Sequence, residues 1–204
     1  MKVNKILLLL AITALIMGPS CSKEKVPPTS PKNTVSMEQL FNQYDSSSEH
    51  LFGQLNPDAP AETQQFHFMI GKFKCQDSLL INGNWKQSVA TWESGYILNG
   101  FGIKDTYRND NYAGTSIRFF NTSKKKWDVY FFGMPGEHTG LWEGEELDGK
   151  MIMKQKRTGS NEENLESRLT FYNIDKNSFE WKGELWNLDQ GIATENWKIK
   201  AQRE

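Results

Sequence analysis

Cysteine and histidine are scarce in this chain of 204 residues, which has two Cys and three His. Two cysteines build no disulfide framework, and with no CxxC pair or Cys/His ligand spacing the sequence offers no metal site. An excess of one charge is also missing. The 24 Lys and Arg stand against 25 Asp and Glu, a formal net charge of −1, so there is no global pull towards nucleic acid. No phosphate loop, HExxH helix or Ser/His/Asp set marks a catalytic centre. Hydrophobic residues make up 37% and charged ones 24%, which excludes a fully disordered chain and a polytopic membrane protein. The length suits one domain with a leader or tail and leaves room for a core.

The one long apolar run is at the start. Lys2 and Lys5 precede a twelve-residue stretch, residues 6–17, ILLLLAITALIM. At about 1.5 Å per residue it covers roughly 18 Å, short of a hydrocarbon core of about 30 Å, so it reads as the h-region of a secretory signal. Gly18-Pro19-Ser20 ends the run and Cys21 follows. This arrangement resembles a bacterial lipoprotein signal, which implies cleavage after residue 20 and lipidation of Cys21. The competing reading is an ordinary secretory signal that leaves Cys21 a free thiol. Residues 22–34, SKEKVPPTSPKNT, are polar, with three prolines and no apolar periodicity. Such a segment behaves as a tether, here assigned to residues 21–35. Ser22-Lys23-Glu24-Lys25 resembles the short charged signals that carry some lipoproteins to the outer cell surface. The expected place is the cell envelope, lipid-anchored to the outer membrane on its periplasmic or outer side.

In residues 36–64, Ser36 and Gln39 fit a capping box, and Met37, Leu40, Phe41 and Tyr44 recur on one face; a short amphipathic helix and a loop are expected there. From residue 65 the pattern changes to alternation broken by turns. Ten strands are expected at residues 72–80, 85–98 (bent or broken near Gly95), 101–108, 113–120, 127–132, 139–146, 150–157, 165–172, 178–188 and 192–200, with Asn82-Gly83, Asn99-Gly100 and Asp148-Gly149 among the turns. The connections are too short for crossover helices, so neighbours are antiparallel in an up-and-down meander. Closing ten strands removes two exposed edges. The expected fold is therefore all-β, an up-and-down antiparallel ten-stranded calycin-like barrel over residues 65–204, preceded by one short N-terminal helix. Closure requires the last strand to pair with the first.

Three stretches carry a family resemblance. Phe66-His67-Phe68-Met69-Ile70-Gly71-Lys72-Phe73 resembles the F-x-F-x-x-G-x-W opening of lipocalin-like families. Trp92-Glu93 with Ile97-Leu98-Asn99-Gly100 resembles the W-x-x-x-Y-I-L-D-G stretch of the DUF1579 family. Residues 114–121, GTSIRFFN, followed by Lys124-Lys125-Lys126-Trp127, are similar to the same family. The resemblance implies a calycin barrel with a possible ligand cavity and no assigned chemistry. The G-x-W-x-G-x-G opening of haem-binding relatives is missing, and no cofactor is expected.

Beyond residue 64 lie seven Trp, five Tyr and ten Phe. Such residues suit strands and pack cores, but barrels of this size can also enclose a small ligand. Low-charge parity assigns Trp127, Val129 and Phe131, Met151 and Met153, Leu165, Ser167, Leu169 and Phe171, and Phe179, Trp181, Gly183 and Leu185 to the interior. Trp197 and Ile199 share a parity with Ala193 and Glu195, which places Glu195 inside, paired with an inward arginine such as Arg157, or else near an open end in water. The candidate ligand contacts are Trp127, Phe131, Met153, Trp181, Glu195 and Trp197. No catalytic or metal-binding residue is assigned. Glu143 and Glu145 share a face near Glu146, but exposed glutamates on a strand are far commoner than a glycosidase pair. His50, His67 and His138 are scattered, and Cys75 alternates with Phe73 as a buried thiol. Asn121-Thr122-Ser123 reads as a turn. The expected function is an envelope lipoprotein whose barrel binds a small apolar ligand. A surface glycan-binding module using Trp85, Trp142 and Trp186 is the alternative, followed by an enzyme acting in the cavity. The expected partners are the lipid bilayer, through acylated Cys21, and a small ligand, without nucleic acid.

Overall fold

The computed structural model describes residues 53–136, 138–159 and 164–204. The leader, Cys21, the tether, His50 and the helix expected after Ser36 lie outside them. A 3-10 helix, Ala61–Met69, leads into ten strands: β1 (Gly71–Ile81), β2 (Asn84–Ile97), β3 (Gly102–Arg108), β4 (Ala113–Asn121), β5 (Lys126–Met134), β6 (His138–Leu147), β7 (Lys150–Thr158), β8 (Asn164–Tyr172), β9 (Ser178–Asn187) and β10 (Ile192–Arg203). Each strand pairs antiparallel with the next, and β1 pairs with β10 from Phe73↔Arg203 to Leu79↔Trp197, closing the barrel. The up-and-down ten-stranded barrel expected from the sequence is the observed fold. Asn82-Gly83 and Asp148-Gly149 turn with positive φ at both residues, the conformation that matches the right-handed twist of a hairpin. Gly95 does not break β2; it pairs with Lys104 inside a continuous strand.

The barrel has one plugged end and one open end. The plug is the 3-10 helix, a feature that the strand-like reading of Phe66 onward does not contain. Thr63, Phe66 and Met69 are its buried residues, spaced by three because a 3-10 helix has three residues per turn. The Phe66 ring meets Trp127 edge-on at 4.8 Å and Phe171 at 5.8 Å, and Phe68 meets Phe171 and Phe179 at 5.6 and 5.4 Å. Polar ties hold the helix in place. His67 Nδ1 lies 2.9 Å from the Tyr96 hydroxyl, Ser94 Oγ donates to the Met69 carbonyl, and the Arg203 guanidinium donates to the carbonyls of Phe68 and Ile70 at 2.8 and 2.5 Å. At this end Gly100 takes a φ of +83°, and a side chain there would run into the backbone of Gln54 and Asn56. Only glycine meets both demands.

The inward parities expected on β5, β7, β8 and β9 hold, and the one expected on β10 fails in part. The register of β10 against β9 shifts between Glu195 and Trp197. Asn196 is the extra residue of a β-bulge, which reverses facing on either side of it. Trp197, Ile199 and Ala201 face inward as expected. Glu195 does not: it pairs opposite outward-facing Glu184, and its carboxylate accepts a bond from Lys198 Nζ at 2.6 Å on the outer face. The expectation of an inward Glu195 paired with Arg157 is therefore corrected, and Thr194 takes the inward parity in its place.

Candidate functional site

Above the plug the interior is not filled. A cavity of about 260 Å³ occupies the middle of the barrel. Its walls are aromatic, with Trp92, Tyr107, Phe171, Trp181 and Trp197 from β2, β3, β8, β9 and β10, and with Val129, Phe131, Met153 and Leu169 between them. The rings support one another edge-on: Trp181–Trp197 at 5.3 Å, Trp92–Tyr107 at 5.6 Å and Tyr107–Trp197 at 5.7 Å. Edge-to-face contacts of this kind favour a defined ring orientation as well as adding attraction. Towards the open end lies a wider vestibule of about 890 Å³. Tyr112, Phe131, Trp142, Arg157, Ser167 and Trp197 line both spaces and form the neck between them.

Four of the six candidate ligand contacts come together here: Phe131, Met153, Trp181 and Trp197 line the cavity. Trp127 does not. It is fully buried at the plugged end, packed on Phe66 and Phe120, with its Nε1 donating to Gln65 Oε1 at 2.9 Å. Glu195 is outside the barrel, as described above.

The sequence reading missed three charged residues on inward parities. Arg118 and Asp105 form a buried ion pair, their side chains 2% and 3% exposed. Arg118 also lies 4.6 Å above the Phe66 ring and donates to Met69 Sδ at 3.1 Å, so it joins the cavity to the plug. Burial pulls its guanidinium down to about 9, still well above neutral pH. The third residue is Asp77, also buried. One of its oxygens accepts from Ser88 Oγ at 3.1 Å, the Tyr107 hydroxyl at 2.7 Å and Asn109 Nδ2 at 2.9 Å, and the other accepts from Trp197 Nε1 at 2.5 Å. Burying a carboxylate is tolerable only with such a full set of donors. The bonds tie β1, β2, β3 and β10 together beside the neck and aim the Tyr107 and Trp197 rings. Burial and the bond to Asp77 both push the Tyr107 phenol far up, so it stays a neutral donor. The available signal was position: Asp77 follows Phe73 and Cys75 in steps of two, Asp105 lies between Ile103 and Tyr107, and Arg118 between Ser116 and Phe120.

The remaining candidates lie apart from the cavity. Glu143 and Glu145 are on the outer face, held by Lys124 at 3.4 Å and by Lys154 at 2.9 Å respectively. The Lys154 bond keeps Glu145 below the usual carboxylate range. His67 belongs to the plug, and His138 begins β6 on the vestibule wall. Among the described residues no cluster of His, Cys, Asp and Glu could hold a metal ion. Of the three tryptophans required by the glycan reading, Trp85 is 41% exposed beneath Lys198, Trp142 faces the neck, and Trp186 lies under Arg168.

Cys75 is 1% exposed, and burial, with the Asp77 charge nearby, pushes its thiol up to about 12. Because the thiolate is the nucleophile, the folded Cys21→Ala protein is expected to resist an alkylating reagent at pH 9, where an ordinary thiol of pKa 9.0 is half ionised. One equivalent should react once denaturant is added. Labelling of the native protein at the denatured rate would contradict the burial of this strand position.

The chain matches no protein-family model, and no curated protein matches it.

Proposed function

We propose that this chain is a cell-envelope lipoprotein, held to the bilayer by acylated Cys21, whose barrel binds a small, largely apolar ligand. The observation that carries the binding reading is the unfilled aromatic cavity and its open neck. An interior of this width could have been packed solid. Instead about 260 Å³ is left open, its walls are braced by buried polar groups, and one end of the barrel is plugged while the other is accessible. A concave, mainly apolar site with a few placed polar groups is the general form of a small-molecule site. Support for the anchor comes from the leader: a short apolar run, a small residue before Cys21, and a proline-containing tether after it. An enzymatic reading has less support, because the Glu143 and Glu145 carboxylates are bound to lysines on the outer face and the buried carboxylates are bound within the fold.

Native mass spectrometry on full-length protein extracted in detergent from its own envelope tests both parts. The expected spectrum has a polypeptide mass raised by acylation at Cys21 and a second, dissociable mass from the retained ligand. Cys21→Ala is expected to leave the membrane fraction, since stable anchoring requires two acyl chains or their equivalent. Ser167→Phe, which fills the neck, is expected to lose the dissociable mass while keeping the acyl mass. An unmodified Cys21 after signal removal would overturn the anchor. Ligand retained undiminished by Ser167→Phe would overturn the cavity as its site.

A further inference from the structure

The charge at the neck indicates the class of ligand. Arg157 ends the inward row of β7, after Met151, Met153 and Gln155, and lines both cavity and vestibule. Arg118 is committed to Asp105, Arg168 to Glu166 at 2.5 Å and Arg203 to backbone carbonyls, while Arg108 is exposed on the outward parity of β3, away from both spaces. Arg157 makes one long bond among the described residues, from Nη1 to Ser167 Oγ at 3.4 Å, and no ion pair. A guanidinium carries five donors in a rigid fork that matches a carboxylate. The rest of that capacity faces the open neck and water, with no protein acceptor among the described residues. The other charged groups on the vestibule wall do not compete for it. Asp77 has both oxygens occupied, while Lys86 and His138 are potential cations themselves. Deeper in, the Asp105 charge is cancelled by Arg118.

We infer that the ligand is a small amphiphile with one carboxylate-like anion, which Arg157 binds at the neck while a ring-sized apolar body fills the aromatic cavity below. This rests on the ligand-binding reading and specifies it. A cavity of about 260 Å³ lies just below the range of roughly 300–1,000 Å³ usual for small-molecule pockets, which suits a compact body such as a fused two-ring system. A cationic head would face Arg157 with no unoccupied carboxylate at the neck, and a neutral head would accept a bond from the fork without matching its charge.

The test is calorimetric titration of ligand-stripped, full-length protein with three probes of one shape: naphthoate, naphthylmethanol and naphthylmethylammonium. Naphthoate is expected to bind tightest. Arg157→Gln, at an exposed position, is expected to weaken naphthoate by about ten- to a hundredfold, the worth of a charge-assisted hydrogen bond. The same variant should leave naphthylmethanol within about twofold, and Arg157→Lys should recover part of the loss. Equal affinity for the acid and the alcohol, or tighter binding of the ammonium, would overturn the inference and leave cavity binding intact. Binding of none of the three would overturn both.

Discussion

Arg118→Leu is expected to lower the unfolding free energy by about 3–5 kcal/mol, the cost of breaking a buried ion pair by removing one partner. The magnitude follows from what stays behind. Asp105, 3% exposed, would be left in an apolar, aromatic interior with its cation gone. The cation–π contact with Phe66 and the bond to Met69 Sδ would be lost as well. The double variant Arg118→Leu/Asp105→Leu is the control. A buried pair replaced by apolar groups of similar volume is often neutral or stabilising, so the double variant should recover most of the loss. Equilibrium unfolding in guanidinium chloride reads both, provided the transition stays two-state. A double variant as unstable as the single one would mean that leucine at position 118 fails by shape and that the ion pair is incidental.

That pair marks how far the sequence could be read. All ten strands were legible because the signals are local: alternation within a strand, and Asn-Gly or Asp-Gly between strands. Closure followed from the cost of open edges, and β1–β10 pairing bears it out. Partners across the barrel were not legible, because a parity says which face a residue takes and not its height. Asp105 and Arg118 lie near each other only through the register that sets Asp105 opposite Ser116. Glu195 was misplaced for a related reason. A bulge adds one residue without any marker of composition, and the alternation from Ala193 to Ile199 reads as unbroken until β9 supplies the partner register. Trp127 was placed correctly inside, but the plug that covers it was not foreseen. The helix from Ala61 to Met69 has neither a period of two nor one of 3.6, and its spacing of three is too short a run to stand out. Four of the six candidate contacts reached the cavity because large apolar inward residues at mid-height are those that line it. The neck could not be read, since Arg157 on β7 and Ser167 on β8 meet there only through strand pairing.

The plug itself gives the other large effect. Phe66→Ala is expected to destabilise the protein by about 3–5 kcal/mol, the range for emptying a fully buried phenylalanine site. Phe66 is 0% exposed and touches Trp127, Phe171 and the Arg118 guanidinium. The helix cannot readily close that hole by sliding. Its far end is fixed by Ser94, and Phe68 and Ile70 are fixed by Arg203. Water then has a route into the sealed end, and fully buried Trp127 should become open to a neutral fluorescence quencher. Phe66→Leu keeps most of the volume and should cost less than about 1.5 kcal/mol, the usual limit for volume-conserving swaps, with Trp127 still protected. Guanidinium unfolding and acrylamide quenching separate these outcomes. If Phe66→Ala unfolds near the wild-type midpoint with no gain in quenching, the 3-10 helix covers the barrel without sealing it.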